Sequence, residues 1–518
     1  MDRHAQTMPK KKSSVSLPLR PRPAGTTLFR WLYDEIRTAV VEGRLVPGTR
    51  LPSTRSIADQ HGVARGTVVA AFDQLVTEGY VESGVGNGTF VRRMSIEPRA
   101  HARLDQRNTR GKSSRPTLSA RGQEFARQRF PQLKSNPLAE TFQLDRPALD
   151  AFPIKLWGRI AARRLRGAVP DLLTSSRAFG FRPLREAVAN HVGLTRGVKC
   201  TADEVMITSG TQQSMDLVAR LVLDRGDRVW MEDPGYAGIT SLLRAHEAQV
   251  VGVPVDEEGI DCDAGRRLAR NARLAYVTPG SQFPLGNTMS LPRRVALLQW
   301  AQEQGAWIFE DDYDSQLQFS GRPLAALRSL DNEGHVIYSS SFNKILFPSL
   351  RMGFLVLPPG LVNAMAAARS LVDLYPAVLN QATLCDFIAD GHMDQHMNRM
   401  RELYEERFDT LLRAVRRDLD GLMRLDPAQP GLQVVGWLAK GMDEAEACRE
   451  AAAHGVDSTA LSKLVIARAM PPALVLGVAS ADVAAIRRGV SRLANVLERL
   501  RRPAVPAKDR GSPRPRPA

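Results

Sequence analysis

Val336-Ile337-Tyr338-Ser339-Ser340-Ser341-Phe342-Asn343-Lys344 opens as a short apolar strand and ends, beyond a run of serines, on a lysine; Arg351 follows. A lysine among small and apolar residues can lose its proton and attack an aldehyde. Taken alone it is an ordinary surface charge, so its reading depends on its surroundings. On the N-terminal side, Val205-Met206-Ile207-Thr208, Arg228-Val229-Trp230-Met231, Leu274-Ala275-Tyr276-Val277 and Trp307-Ile308-Phe309-Glu310 are further short apolar runs, separated by stretches of helical period. This alternation predicts an α/β domain around a mixed, mostly parallel sheet. Ligands of such sheets collect at the carboxyl ends of the strands.

Polar signals stand at those ends. Ser209-Gly210-Thr211-Gln212-Gln213 lies between a strand and a helix, where backbone N–H groups and hydroxyls can cradle a phosphate or simply cap the helix. Asp233-Pro234-Gly235-Tyr236 sets a tyrosine at a strand end, suited to stacking on a flat heteroaromatic ring or to a half-buried turn. Glu310-Asp311-Asp312-Tyr313-Asp314 concentrates carboxylates, which serve metal ligation, charge pairing or a protonated nitrogen.

A second domain precedes this one. Leu28, Trp31, Leu32, Ile36 and Val40 fall at helical spacing, and Pro47-Gly48 turns the chain. Ser53 caps a short helix that Gly62 ends, and a third helix over 67–78 buries Val68, Ala71, Phe72 and Leu75. Two short strands then flank Gly84-Val85-Gly86-Asn87-Gly88. The order describes a winged helix-turn-helix whose third helix enters a DNA major groove. Arg65 and Thr67 stand at the start of that helix, and Ser53 and Arg55 begin the supporting one. Those positions suit base edges and phosphates, and Gly88 lets the wing approach the sugar-phosphate backbone. Singly, such arginines are as easily solvated surface charges.

The remaining segments are punctuation. Residues 1–25 form a basic, Pro-rich tail without a signal-peptide core, 94–137 an Arg-rich stretch expected as a flexible linker, and 501–518 a Pro-Arg tail expected to be disordered. The domains therefore span 26–93 and 138–500. A net charge of +16 favours a polyanionic partner, and no apolar run is long enough for a membrane span. The four cysteines are scattered, so no disulfide framework or metal site is expected and a reducing cytoplasm fits.

The order of the strand-end signals resembles that of fold-type I aminotransferases, which bind pyridoxal 5'-phosphate. The resemblance implies that Lys344 forms the Schiff base, Asp311 holds the pyridine nitrogen protonated and Tyr313 donates to the ring oxygen. Tyr236 would stack on the ring, and Gly210, Thr211, Gln212, Ser341 and Arg351 would hold the phosphate. Pro47-Gly48-Thr49-Arg50-Leu51-Pro52-Ser53-Thr54-Arg55, Gly62-Val63-Ala64-Arg65-Gly66-Thr67-Val68 and Gly88-Thr89-Phe90-Val91 resemble a GntR-type winged helix. With Ala178-Phe179-Gly180-Phe181-Arg182-Pro183-Leu184 and Gln282-Phe283-Pro284, the whole chain is similar to the MocR (GabR-like) subfamily of GntR regulators. That similarity implies a head-to-tail, domain-exchanged homodimer on double-stranded operator DNA, responding to a small amine or amino acid. Phe283 stands where many aminotransferases carry asparagine, which argues against efficient turnover, and Gly238 replaces an arginine of GabR-like proteins. Arg468 is the candidate for gripping an effector carboxylate, with a solvated helix-end arginine as the alternative. A working aminotransferase with an appended DNA-binding module and a mere dimerisation scaffold are the competing functions.

Overall fold

The computed structural model describes residues 19–23, 25–84, 88–92, 117–128, 141–144, 146–167, 170–173, 177–317, 324–426 and 431–501. The tip of the wing, most of the expected linker and most of both tails lie outside the described residues. The chain divides into two units, 1–117 and 118–518.

In the first unit, α1 (Leu28–Val41) begins at Thr27, whose hydroxyl accepts from the Arg30 amide. α2 (Thr54–His61) is capped by Ser53 and ends at Gly62, a left-handed position (φ 62°) that glycine adopts without strain. α3 (Arg65–Thr77) starts at Arg65, earlier than the expected position 67, so Arg65 and Thr67 both lie in its first turn. β1 (Val81–Gly84) and β2 (Gly88–Val91) pair antiparallel with Val81 opposite Val91. Ile36, Ile57, Val68, Ala71, Leu75 and Val81 close a single core. Part of the segment expected as an N-terminal tail belongs to this unit. Leu19 packs against the core, and the Trp31 indole N–H donates to the Arg20 carbonyl at 3.0 Å. A buried indole needs an acceptor, and the segment ahead of α1 supplies it.

The second unit is built on an eight-stranded sheet. Its strands are β3 (Val205–Thr208), β4 (Arg228–Asp233), β5 (Gln249–Asp256), β6 (Gly259–Ile260), β7 (Leu274–Val277), β8 (Trp307–Asp312), β9 (Val336–Ser341) and β10 (Gly353–Val356). They lie in the order β3-β10-β9-β8-β7-β4-β5-β6. β9, β8, β7, β4 and β5 run parallel, while β10 is antiparallel to both its neighbours. This is the mixed, mostly parallel sheet that the alternation predicts. A smaller antiparallel sheet of β11 (Met423–Leu425), β12 (Gln433–Leu438), β13 (Thr459–Ala460) and β14 (Ala473–Gly477) follows. The long helices His392–Asp418 and Val483–Arg501 contribute Phe408, Leu411, Ile486 and Leu493 to its core. Among the described residues no helix is long and apolar enough to cross a membrane.

The stretch expected as a flexible linker contains a helix, α4 (Ala120–Arg127), capped by Ser119. Its Phe125 ring meets His246 edge-on at 6.0 Å, just past helix Ala237–Ala245. The helix buries no residue of its own, so no apolar period exists to be read. The four cysteines are free, three of them buried.

β8 is lined with acid. Glu310 accepts the backbone N–H groups of Leu327 and Arg328, each at 2.8 Å. Asp312 meets the Arg196 guanidinium at 2.7 Å, with side-chain exposures of only 2% and 1%. Removing one partner of such a pair strands a buried charge. Arg196→Met is therefore expected to destabilise the large unit by about 3–5 kcal/mol, measured as a shift of the denaturant midpoint. A shift within the range of surface substitutions would show that Asp312 is satisfied without it.

Candidate functional site

Gly210, Thr211, Gln212, Tyr236, Asp311, Tyr313, Ser341, Lys344 and Arg351, the residues expected at a cofactor site, all line one cavity of about 240 Å³. They reach it from the carboxyl ends of β3, β4, β8 and β9. Tyr276, Thr278, Phe283, Asn343 and Pro348 complete the lining.

One end of the cavity is a cradle made by close packing. Gly353 lies between Thr208 and Ser341 in the sheet register. A Cβ there would stand 2.8 Å from the Ser340 carbonyl and 2.9 Å from the Gly210 Cα, so only glycine lets the two loops converge. Gly210 itself has φ 121°, and a side chain on it would strike the Asn343 amide at 2.9 Å. Helix Thr211–Val222 starts from this point, with its N-terminal N–H groups toward the cavity end. The side-chain amide nitrogen of Gln212 is buried there without a hydrogen-bond partner. Arg351 sits in the left-handed region (φ 48°), an uncommon place for a non-glycine residue. Asn343 accepts the Met352 amide at 2.9 Å, which ties the lysine-bearing turn to the start of β10. A helix N-terminus, an orphaned buried donor, hydroxyls and a guanidinium form a donor set that fits a phosphate.

Asp311 lies deep in the cavity with both oxygens engaged. Tyr276 donates to one at 2.6 Å and Thr211 to the other at 3.1 Å. Burial pushes its carboxyl up to about 6, and these two hydrogen bonds together with the charge of Lys344 hold it from rising further. Burial likewise lifts Glu232, Glu310 and Asp314 to about 7. Alternation along β8 turns Glu310 and Asp312 to one face and Asp311 to the other. A carboxylate held in this way fits a protonated ring nitrogen. Tyr276, which the sequence reading passed over, carries a signal that could have found it: a tyrosine inside a strand otherwise wholly apolar needs a buried acceptor.

Tyr313 accepts from the Gln433 amide at 2.8 Å, and its hydroxyl also interacts with Ser281 and the Asp314 carboxyl. Phe283 meets Tyr236 edge-on at 5.7 Å and Tyr313 at 6.1 Å. Arg468 is not among the residues lining this cavity. Its guanidinium donates to the Val255 carbonyl at 2.9 Å, and its amide, with those of Ile466 and Ala467, is held by Asp233. One guanidinium nitrogen of Arg468 thus serves backbone away from the lining of this cavity.

In the first unit, Ser53 accepts the Ser56 amide at 3.1 Å, so its hydroxyl caps the helix. Arg55 and Arg65 are exposed, Thr67 half-buried and Gly88 exposed. Beside Arg65, Gly66 has open space around it, and Val69 and Ala70 are exposed small residues on the same helix. A Cβ on Gly88 would lie 2.9 Å from the Arg50 side chain, whose guanidinium stands 6.0 Å from the Phe90 ring centre. Arg50 thus sits at the base of the wing, a cationic position that the sequence reading quoted without assigning.

Two family models match the chain. The model for aminotransferase class I and II covers residues 158–489, and that for bacterial regulatory proteins of the gntR family covers 30–91. The "Probable rhizopine catabolism regulatory protein MocR" of Rhizobium meliloti is 36% identical, over 96% of this chain and 99% of its own length. An uncharacterised HTH-type transcriptional regulator of Bacillus subtilis, YhdI, is 31% identical over 92% and 97%. Among solved structures, the alpha-aminoadipate aminotransferase LysN of Thermus thermophilus, complexed with N-(5'-phosphopyridoxyl)-L-leucine, matches with a TM-score of 0.65 at 31% identity. That match covers 70% of this chain and 93% of LysN. From these matches and from the two units described above, the chain belongs to the MocR-type regulators of the gntR family, in which a winged helix precedes an aminotransferase class I and II domain.

Proposed function

We propose that this protein is a cytoplasmic transcription regulator that binds double-stranded operator DNA through 26–93 and carries pyridoxal 5'-phosphate in the large unit, where it senses a small amine or amino acid. The observation that carries the reading is one cavity joining Lys344, a buried Asp311 and a phosphate-type cradle, in a chain that begins with a gntR-family winged helix. Once bound, pyridoxal phosphate supplies an aldehyde for primary amines and a ring that accepts electrons. The Lys344 amine would hold that aldehyde. Asp311, fixed by Tyr276 and Thr211, would hold a proton at the ring nitrogen. Tyr313, whose hydroxyl accepts from Gln433, would donate to the ring oxygen. Tyr236 would cover the ring, while Gly210, Thr211, Gln212, Ser341 and Arg351 would hold the phosphate.

On DNA, Arg65 and Thr67 read base edges from the first turn of α3. Ser53, Arg55 and the Gly88 wing position the domain on phosphates. A homodimer, head-to-tail with exchanged domains, sets two winged helices on two half-sites, and two copies per operator in sedimentation would support it. The same catalytic constellation suits an aminotransferase, a reading that steady-state keto-acid formation tests directly.

Lys344→Ala is expected to abolish the borohydride-fixable attachment of pyridoxal phosphate, read as intact mass, because only a primary amine bonds the aldehyde. Attachment that persists at another lysine would refute the assignment. Arg65→Ala is expected to weaken operator binding by about 1–3 kcal/mol beyond its effect on random DNA. Equal losses on both, measured at matched salt, would make Arg65 a phosphate contact instead.

A further inference from the structure

We infer that the cavity selects a primary amine that has an apolar body and no α-carboxylate, in preference to the corresponding amino acid. This rests on the reading that the cavity holds pyridoxal phosphate.

Among the described residues that line the cavity, the cationic side chains are Lys344 and Arg351. The cofactor reading commits both, one to the aldehyde and one to the phosphate. Arg468, the further cation expected for a carboxylate, is anchored on the Val255 carbonyl in a loop that Asp233 fastens by its amides. Among the described residues that line the cavity, no guanidinium is left over for the α-carboxylate of an incoming amino acid.

The rest of the lining makes that lack costly. Tyr236, Phe283 and Tyr313 meet edge to face, and Phe283 and Tyr313 pack against buried Val435, Leu464 and Val475. Burying an unpaired carboxylate against such a wall costs several kcal/mol. Asp311, the acid that lines the cavity among the described residues, is committed to the ring nitrogen by the cofactor reading and offers an anion nothing. An alkyl or aryl body gains contact with the aromatic wall.

The test uses the intact protein loaded with pyridoxal phosphate and two probe pairs that differ only by the carboxylate: isoamylamine against L-leucine, and phenethylamine against L-phenylalanine. Calorimetric titration and the rise in unfolding temperature are the readouts. Each amine is expected to bind about 10-fold or more tightly than its amino acid, the penalty of an unpaired buried anion. Equal affinities, tighter binding of the amino acid, or no binding of either amine overturns the inference. Arg468→Ala is expected to leave the ratio within each pair unchanged, and a selective loss of amino-acid binding would return the carboxylate role to Arg468 and overturn it too. Failure is separable from failure of the cofactor reading: a protein that takes up no pyridoxal phosphate defeats that reading, whereas a loaded protein that prefers L-leucine defeats only this one.

Discussion

Arg196 and Asp312 meet almost wholly out of water, and the centre of the large unit is organised by the need to keep them together. Arg196 is the last residue of helix Arg182–Arg196, and a second arm of its guanidinium donates to the Leu324 carbonyl at 2.8 Å. The pair thus pins that helix and the segment at 324 to the central strand β8. Tyr338, on the neighbouring strand β9, donates to the same carboxylate. Because alternation sends Asp312 to this face, Asp311 must look to the other, where the cavity lies. An acid-rich strand can stay buried only when each acid is answered: Glu310 by backbone amides, Asp312 by the arginine, Asp311 by two hydroxyls.

The cavity is held by several elements at once. β10 inserts between β3 and β9 and brings the cradle glycine beside the lysine turn, and the small C-terminal sheet sends Gln433 back to Tyr313. The first unit is organised more simply, with a single core below three helices and a hairpin. Two of its exposed arginines, Arg55 and Arg65, stand at helix starts, where backbone N–H groups already favour anions.

Much of this was legible because the chemistry is local in sequence. A strand end, a glycine and a hydroxyl are adjacent residues, so Gly210 and Thr211 could be picked out from the chain alone, while Ser341 followed from the resemblance. The winged helix was legible for the same reason, its turns being punctuated by Gly48, Gly62 and Gly79. What escaped is non-local. Tyr276 reaches Asp311 across neighbouring strands, and Gln433 reaches Tyr313 from a different sheet. No spacing rule connects such residues. β10 lies antiparallel within a parallel sheet and carries no polar end to announce it. Arg468 lies outside the cavity lining, and in sequence an arginine near a strand looks the same whether it faces a ligand or a carbonyl. The α4 segment shows the limit of periodicity: the helix buries no residue, and its one ring contact, Phe125 on His246, has no period.

Burial raises the thiols of this protein above the ordinary cysteine range, Cys200 and Cys262 to about 11 and Cys385 and Cys448 in the same direction. The thiolate is the species that reacts, so burial slows their meeting with peroxide or a disulfide. A cysteine introduced at an exposed position would ionise more readily than these four and would be first to take a fluorophore or spin label.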